Sequence, residues 1–402
     1  MNDPLQTAVC IVGGGPAGIV LALLLARQGI DVTVLEKHKD FNRDFRGDTI
    51  HAATLRVMRE LGLLEALLQL PHRRFERFQA SLGGRTYTIA DFTTLPPPTN
   101  FIALMPQWDL LNFLAAETHK YPNARILMEH KVTGLLQDPS PSPSHPARIL
   151  GARAETPAGP VEIHAALTVG CDGRHAITTD SAHLTRIERG APIDVLWFRL
   201  SRRPGDPENA LGNLNYGRMV LLIDRGDYFQ CGYIIAKDSF INEIQPTGLD
   251  TFRQSIARIV PFLGTPSADL GSEIPARVDE IQSWDQISLL SVQVNRLRRW
   301  HLPGLLCIGD AARILTPVLR TAQERGTPVT ERAGARVQHR RSLPTRISQG
   351  FQVIIHSFLK SYLGNPAPLK APLSIRVLSR SSLFHRAIAR FIAIGIRPEH
   401  IR

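Results

Sequence analysis

Gly13-Gly14-Gly15-Pro16-Ala17-Gly18 contains glycines at the spacing Gly-x-Gly-x-x-Gly, and an acidic residue, Glu36, follows about twenty residues later. Glycines so spaced let a chain turn tightly, let a pyrophosphate approach backbone N–H groups, and let a helix pack close to a sheet. Glu36 is then placed to accept hydrogen bonds from an adenosine ribose, while the helix N-terminus favours the phosphates. The plain alternative is a tight glycine turn beside a surface carboxylate. The motif by itself does not distinguish FAD from NAD.

The elements around it have the order this chemistry needs. Ala8 to Val12 is an apolar β-type run, Ile19 to Gln28 has helical apolar spacing closed by Gly29, and Asp31 to Glu36 reads as a second buried strand. One helix is expected over Thr54–Leu70. Phe75 to Ile89 alternates polar and apolar residues around Gly83-Gly84 and predicts a hairpin, ended by the stiff Leu95-Pro96-Pro97-Pro98. A helix at Trp108–His119 and strands at Ala124–Glu129, Val132–Gln137 and Val161–Val169 follow. β-type runs at Ala191–Leu200, Met219–Ile223 and Tyr228–Ala236 precede a helix over Leu249–Val260, and Leu305–Ile308 is again a strand. The fold class expected is α/β, a Rossmann-type nucleotide-binding domain interrupted by a β-rich domain. The first comprises residues 1–75, 100–185 and 285–402, and the second residues 76–99 and 186–284.

Three dispersed segments narrow the ligand. Phe45-Arg46-Gly47-Asp48-Thr49-Ile50-His51, Met105-Pro106-Gln107-Trp108-Asp109-Leu110 and Leu306-Cys307-Ile308-Gly309-Asp310-Ala311-Ala312 stand in this order with Cys171-Asp172-Gly173-Arg174-His175. Together they resemble the group A flavoprotein monooxygenases, the p-hydroxybenzoate hydroxylase-like family, over nearly the whole chain. The resemblance implies FAD as cofactor and NADPH or NADH as transient electron donor. It implies hydroxylation of a small, aromatic substrate by dioxygen through a flavin C4a-hydroperoxide. Gly13, Gly15, Ala17, Gly18 and Glu36 would hold the ADP half, and Val132 would present backbone to the adenine. Arg46 and Gln107 would contact the pyrophosphate and ribityl region, Asp310 a ribityl hydroxyl, and Asp172 both FAD and the passing nucleotide. Pro317 matches a position beside the isoalloxazine and is the candidate nearest the reacting centre. Each residue has a plainer alternative: Arg46 pairing with Asp48, Gln107 capping the helix after it, and Asp310 serving as an N-cap.

The match departs from the family after Val318, where a glycine loop and a helix give way to Leu319–Arg325. Ala176, Thr179 and Arg313 also replace the family's usual residues. A flavin-binding homologue without turnover, or an FAD-dependent reductase on the same scaffold, is the alternative that this departure implies.

Composition limits the remaining classes. The 402 residues are 43% hydrophobic and 21% charged with Gly and Pro dispersed, as in a globular protein. The net charge of +11 draws on a run of arginines from Arg320 to Arg346 that has no interleaved aromatics, which predicts a solvated face and no nucleic-acid partner. The four cysteines form no CxxC pair and read as reduced thiols; neither they nor the histidines have metal-ligand spacing, so no metal is expected. Ile19 to Ala26 is too short to span a bilayer and no basic leader precedes it, so a cytoplasmic location without an integral membrane segment is expected. Leu373 to Arg402 alternates apolar residues and arginines as an amphipathic membrane helix does, but packing on the nucleotide-binding domain is the role expected. Substrate and dioxygen are the partners implied, and oligomeric state is not legible.

Overall fold

A computed structural model describes residues 4–42, 49–138, 148–173, 176–207, 211–269, 272–308, 331–365, 367–398 and 400. The chain opens with β1 (Leu5–Val12), α1 (Pro16–Ala26) and β2 (Val32–Leu35). Val9 to Val12 and all of β2 are buried, which is why these strands read as continuous apolar runs. Helix α1 is apolar all round because it is covered on two sides, by the sheet and by a later helix.

The single helix expected over Thr54–Leu70 is instead two, α2 (Ala52–Glu60) and α3 (Leu64–Leu67). Gly62, at φ +72°, breaks the helical path between them while Leu55, Met58 and Leu64 keep their core positions. Gly83 and Gly84 turn the hairpin of β3 (Arg77–Leu82) and β4 (Arg85–Asp91), and α4 (Gln107–His119) then packs Leu110, Leu111 and Leu114 into the α1 core.

Strands β5 (Ala124–Leu127), β6 (Lys131–Gln137), β7 (Ile149–Thr156) and β8 (Gly159–Gly170) come next, then α5 (Ile177–Ser181) and β9 (Arg186–Glu188). Strand β10 (Ile193–Ser201) and a meander of β11 (Leu211–Asn215), β12 (Arg218–Asp224) and β13 (Tyr228–Ala236) lead into α6 (Leu249–Ile259). The strands end with β14 (Ser288–Ser291), β15 (Asn295–Leu297), β16 (His301–Leu302) and β17 (Leu305–Cys307), and the chain with α7 (Glu331–Tyr362), α8 (Leu373–Leu378) and α9 (Ser382–Ala393).

Two sheets organise these elements. The first runs β16-β17-β8-β1-β2-β5, parallel from β17 to β5, with β7 and β6 added antiparallel beyond β8. The second runs β14-β10-β13-β12-β11-β3-β4 and buries one face under α6, where Phe252 meets Phe198, Tyr233 and Trp284 at ring-centroid distances of 5.1 to 5.8 Å. The hairpin β3–β4 joins this second sheet through a parallel pairing of β3 with β11.

The C-terminal segment is pinned to the second sheet. Gly364 N–H donates to Gly217 O at 3.0 Å and Leu369 N–H to Asn215 Oδ1 at 3.0 Å. A Cβ on Gly217, itself at φ +67°, would lie 2.5 Å from Asn365 N. Gly217→Val is therefore expected to lift this strap, giving faster tryptic cleavage at Lys370 and Arg376; an unchanged digestion pattern would rule out a clamp at Gly217. Helix α9 then packs chiefly on β4 and the turn at Phe92–Thr94. Its Ala389, Ala393 and Ile394 complete a cluster with Phe75, Ala90, Phe92 and Ile102. The tail thus covers the hairpin together with Ala52, Phe75, Ile102 and Leu104, which lie in the segments assigned from the sequence to the nucleotide-binding domain.

Candidate nucleotide-binding cleft

Gly13 follows β1 at φ +104°, with its N–H donating to Leu35 O at 2.8 Å. A Cβ there would lie 2.6 Å from Cys171 O, and one on Gly18 would lie 2.0 Å from Gly13 O. These two glycines let the turn, α1 and the Cys171-Asp172 segment touch backbone to backbone. Gly15 differs: it caps α1, and a Cβ on it would find no protein atom within 4 Å. The first turn of α1 has no side-chain cap, so its N–H groups are not met by a capping side chain. That is the environment a pyrophosphate needs.

Glu36, at the end of β2, is buried, and its carboxylate accepts from Gly14 N–H at 2.8 Å and from His38 N–H at 3.0 Å. Its own carbonyl accepts from His130 N–H at 2.9 Å, which places Val132, two residues further along, on the strand edge beside it. The carboxylate is thereby fixed next to the glycine turn.

A cleft of about 1050 Å³ adjoins the turn. Pro16, Ala17, Gln107, Asp172 and Gly173 line one wall, and Asn295, Arg296, Arg341 and Gln349 are among the residues of another. Gln107 is the first residue of α4, after Pro106 at the cap. The Asp172 carboxylate accepts from Thr178 N–H at 2.9 Å and from Thr178 Oγ1–H at 2.8 Å, anchoring α5. Burial pushes this carboxyl above its ordinary value, against the opposing effect of those bonds. Gln107 and Asp172 thus line one cleft with Pro16 and Ala17, while Glu36 is bonded to the glycine turn that precedes them.

Arg46, Asp310 and Pro317 lie outside the described residues, as does the segment after Val318. The flanks of the first two point to the same place: Thr49 to His51 line the cleft, and so do Cys307 and Ile308, the residues that lead to Asp310. Sequence reading gave no role to His51, whose Nδ1 lies 3.1 Å from Ile392 O and ties the tail to the cleft, nor to Gln349, which bridges Asn295 O and Arg296. Long separation in the chain left no local signal for either.

The four cysteines are free thiols. Burial pushes Cys10 and Cys307 up to about 12 and raises Cys171 and Cys231 as well. Cys10, Cys231 and Cys307 are expected to resist a thiol reagent at about pH 8 until the protein unfolds; reaction of all four in the native protein would contradict their burial. No group of residues suited to a metal ion occurs among the described residues.

A family model described as FAD binding domain matches residues 6–239. The 6-methylpretetramide 4-monooxygenase of Streptomyces rimosus is 28% identical over 319 residues, covering 79% of this chain and 71% of its own length. A dialkyldecalin synthase of Streptomyces rugosporus is 24% identical over 327 residues, with 78% and 61% covered. Among solved structures, p-nitrophenol 4-monooxygenase from Pseudomonas putida superposes with TM-score 0.69 at 17% identity, covering 97% of both chains. The anhydrotetracycline hydroxylase of Streptomyces rimosus gives 0.70 at 18% identity, covering 98% of this chain and 77% of the other. Likeness at that level establishes the shared fold.

Proposed function

Because this chain belongs to the FAD binding domain family, we propose that it is a monooxygenase hydroxylating a small, aromatic molecule with dioxygen and electrons from NADPH or NADH. FAD is its cofactor, and it is an oxidoreductase. The observation that carries the reading is the open space beside Gly15, at the uncapped start of α1, on a cleft large enough for more than a nucleotide phosphate. The named functions of the two Streptomyces rimosus relatives and of the nitrophenol enzyme support the reaction class.

In this reading the backbone of Gly15 and Ala17 holds the pyrophosphate, Glu36 the adenosine ribose, and Val132 the adenine edge. Gln107 approaches from the start of α4, joined by Arg46 and Asp310 on the strength of the resemblance. Asp172 has a positioning role, since its Thr178 bonds keep the Cys171–Gly173 segment against Gly13. Reduced by the nicotinamide donor, bound FAD supplies the oxygen-activating chemistry. The chain's own task is to orient the substrate and keep water from the reacting atoms. We assign substrate binding to the β-rich region of 76–99 and 186–284, and Pro317 to the neighbourhood of the reacting centre.

The test is to load the purified chain with FAD and follow NADPH and NADH oxidation with a panel of phenols while quantifying hydroxylated product and hydrogen peroxide. Product formed in step with nucleotide consumption is expected for at least one phenol. Flavin uptake with no product from any phenol would favour the homologue without turnover, the reading motivated by the sequence departure after Val318.

A further inference from the structure

The chain's excess of 11 positive charges lies entirely in residues 331–402, which hold 13 arginines and lysines against two acids, while the preceding residues balance. No acidic residue occurs between Glu331 and Glu399. In the same region large aliphatic side chains face solvent: Leu373 is 72% exposed, Val377 60% and Leu383 77%, with Leu378 beside them. Leu373 and Val377 are four residues apart on α8 and so share a helical face. Lys370, Arg376, Arg380 and Arg386 are exposed among them. The face is held in place, since the strap before it is bonded to Gly217 and Asn215.

We infer that α8 and the start of α9 form a peripheral docking surface for an anionic lipid bilayer. Aliphatic side chains enter the headgroup boundary, and the arginines neutralise acidic headgroups. Each alternative occupant meets an obstacle. A second copy would bring two strongly basic faces together with no acids to pair them. A nucleic acid would engage the cations but leave the exposed aliphatic side chains without apolar cover. Insertion across the bilayer is not available, because among the described residues no helix is long and apolar enough to cross one. The end of α9, Ile392 and Ala393, and the residues after it, Ile394 and Ile396, line the cleft.

The 402-residue protein is sedimented with vesicles of phosphatidylcholine alone or with about 30% phosphatidylglycerol, at low and high salt. Binding to the anionic vesicles, none to the neutral ones, and release by salt are expected. The triple variant Leu373→Ser, Val377→Ser, Leu383→Ser is expected to bind at least tenfold more weakly, and each arginine lost from Arg376, Arg380 and Arg386 to weaken binding by about fivefold. Because these side chains are exposed, melting curves should stay parental. Equal binding to both vesicle types, no binding to either, or undiminished binding by the variants would overturn the inference. So would a concentration-dependent dimer that the triple variant abolishes.

Discussion

Gly15→Ala protein is expected to fold as the parent does yet lose most of its affinity for FAD, whereas Gly18→Ala protein loses stability first. At Gly15 the backbone has φ −74°, open to any residue, and the added Cβ meets no protein atom within 4 Å. Folding stability should therefore change by no more than about 0.5 kcal/mol. The methyl group occupies the space the pyrophosphate needs, and crowding of about 1–3 kcal/mol corresponds to a weakening of roughly five- to 150-fold. At Gly18 the helix-forming gain of alanine, at most about 1 kcal/mol, opposes a contact 2.0 Å from Gly13 O, for which backbone must move. Overpacking wins. Thermal melts and FAD titrations of both variants separate the two effects, and equal FAD affinity in parent and Gly15→Ala would place the pyrophosphate elsewhere.

The second large effect lies in the other sheet. Asp194 on β10 is buried, and its carboxylate accepts from Lys237 Nζ at 2.8 Å, Asp238 N–H at 3.0 Å and Val292 N–H at 3.1 Å. It thereby ties together the ends of β10, β13 and β14. Asp194→Ala strands two backbone donors and removes the ammonium's counter-ion, leaving Lys237 Nζ only Ser291 Oγ and Val292 O as acceptors. Loss of one partner of a buried pair costs about 3–5 kcal/mol, and the lower end applies because Lys237 is one-third exposed and can turn to water. Against total stabilities of about 5–15 kcal/mol this is a severe loss. Lys237→Met leaves both backbone bonds in place but strips the buried carboxylate of its counter-charge, so its cost should be of the same order. Urea unfolding measures both, and a change below about 1 kcal/mol for Asp194→Ala would show that the network contributes little.

What could be read from the sequence is what neighbours in the chain determine. The run from Ala8 to Glu36 folds as strand, turn, helix and strand because apolar periodicity, glycines and a closing acid all act within one βαβ unit. Tyr228–Ala236 and the helix from Leu249 were legible for the same reason. Distant pairings were not. Asp194 meets Asp238 and Val292 across 44 and 98 residues, and nothing local marks it as more than a strand carboxylate. Residues Ala389 and Ala393 read as part of a basic amphipathic tail, and only the hairpin they cover explains their burial. Asp172 was placed in its motif by resemblance, but its engagement with Thr178 depends on how the chain folds back after Gly173.

The most direct measurement is a titration of the FAD-free chain with FAD, followed by quenching of flavin fluorescence and repeated in the presence of ADP. Saturation at a single equivalent, with ADP competing, is the result expected if Gly15 and Glu36 grip the adenosine diphosphate half. Failure to saturate, or binding that ADP leaves untouched, would contradict it.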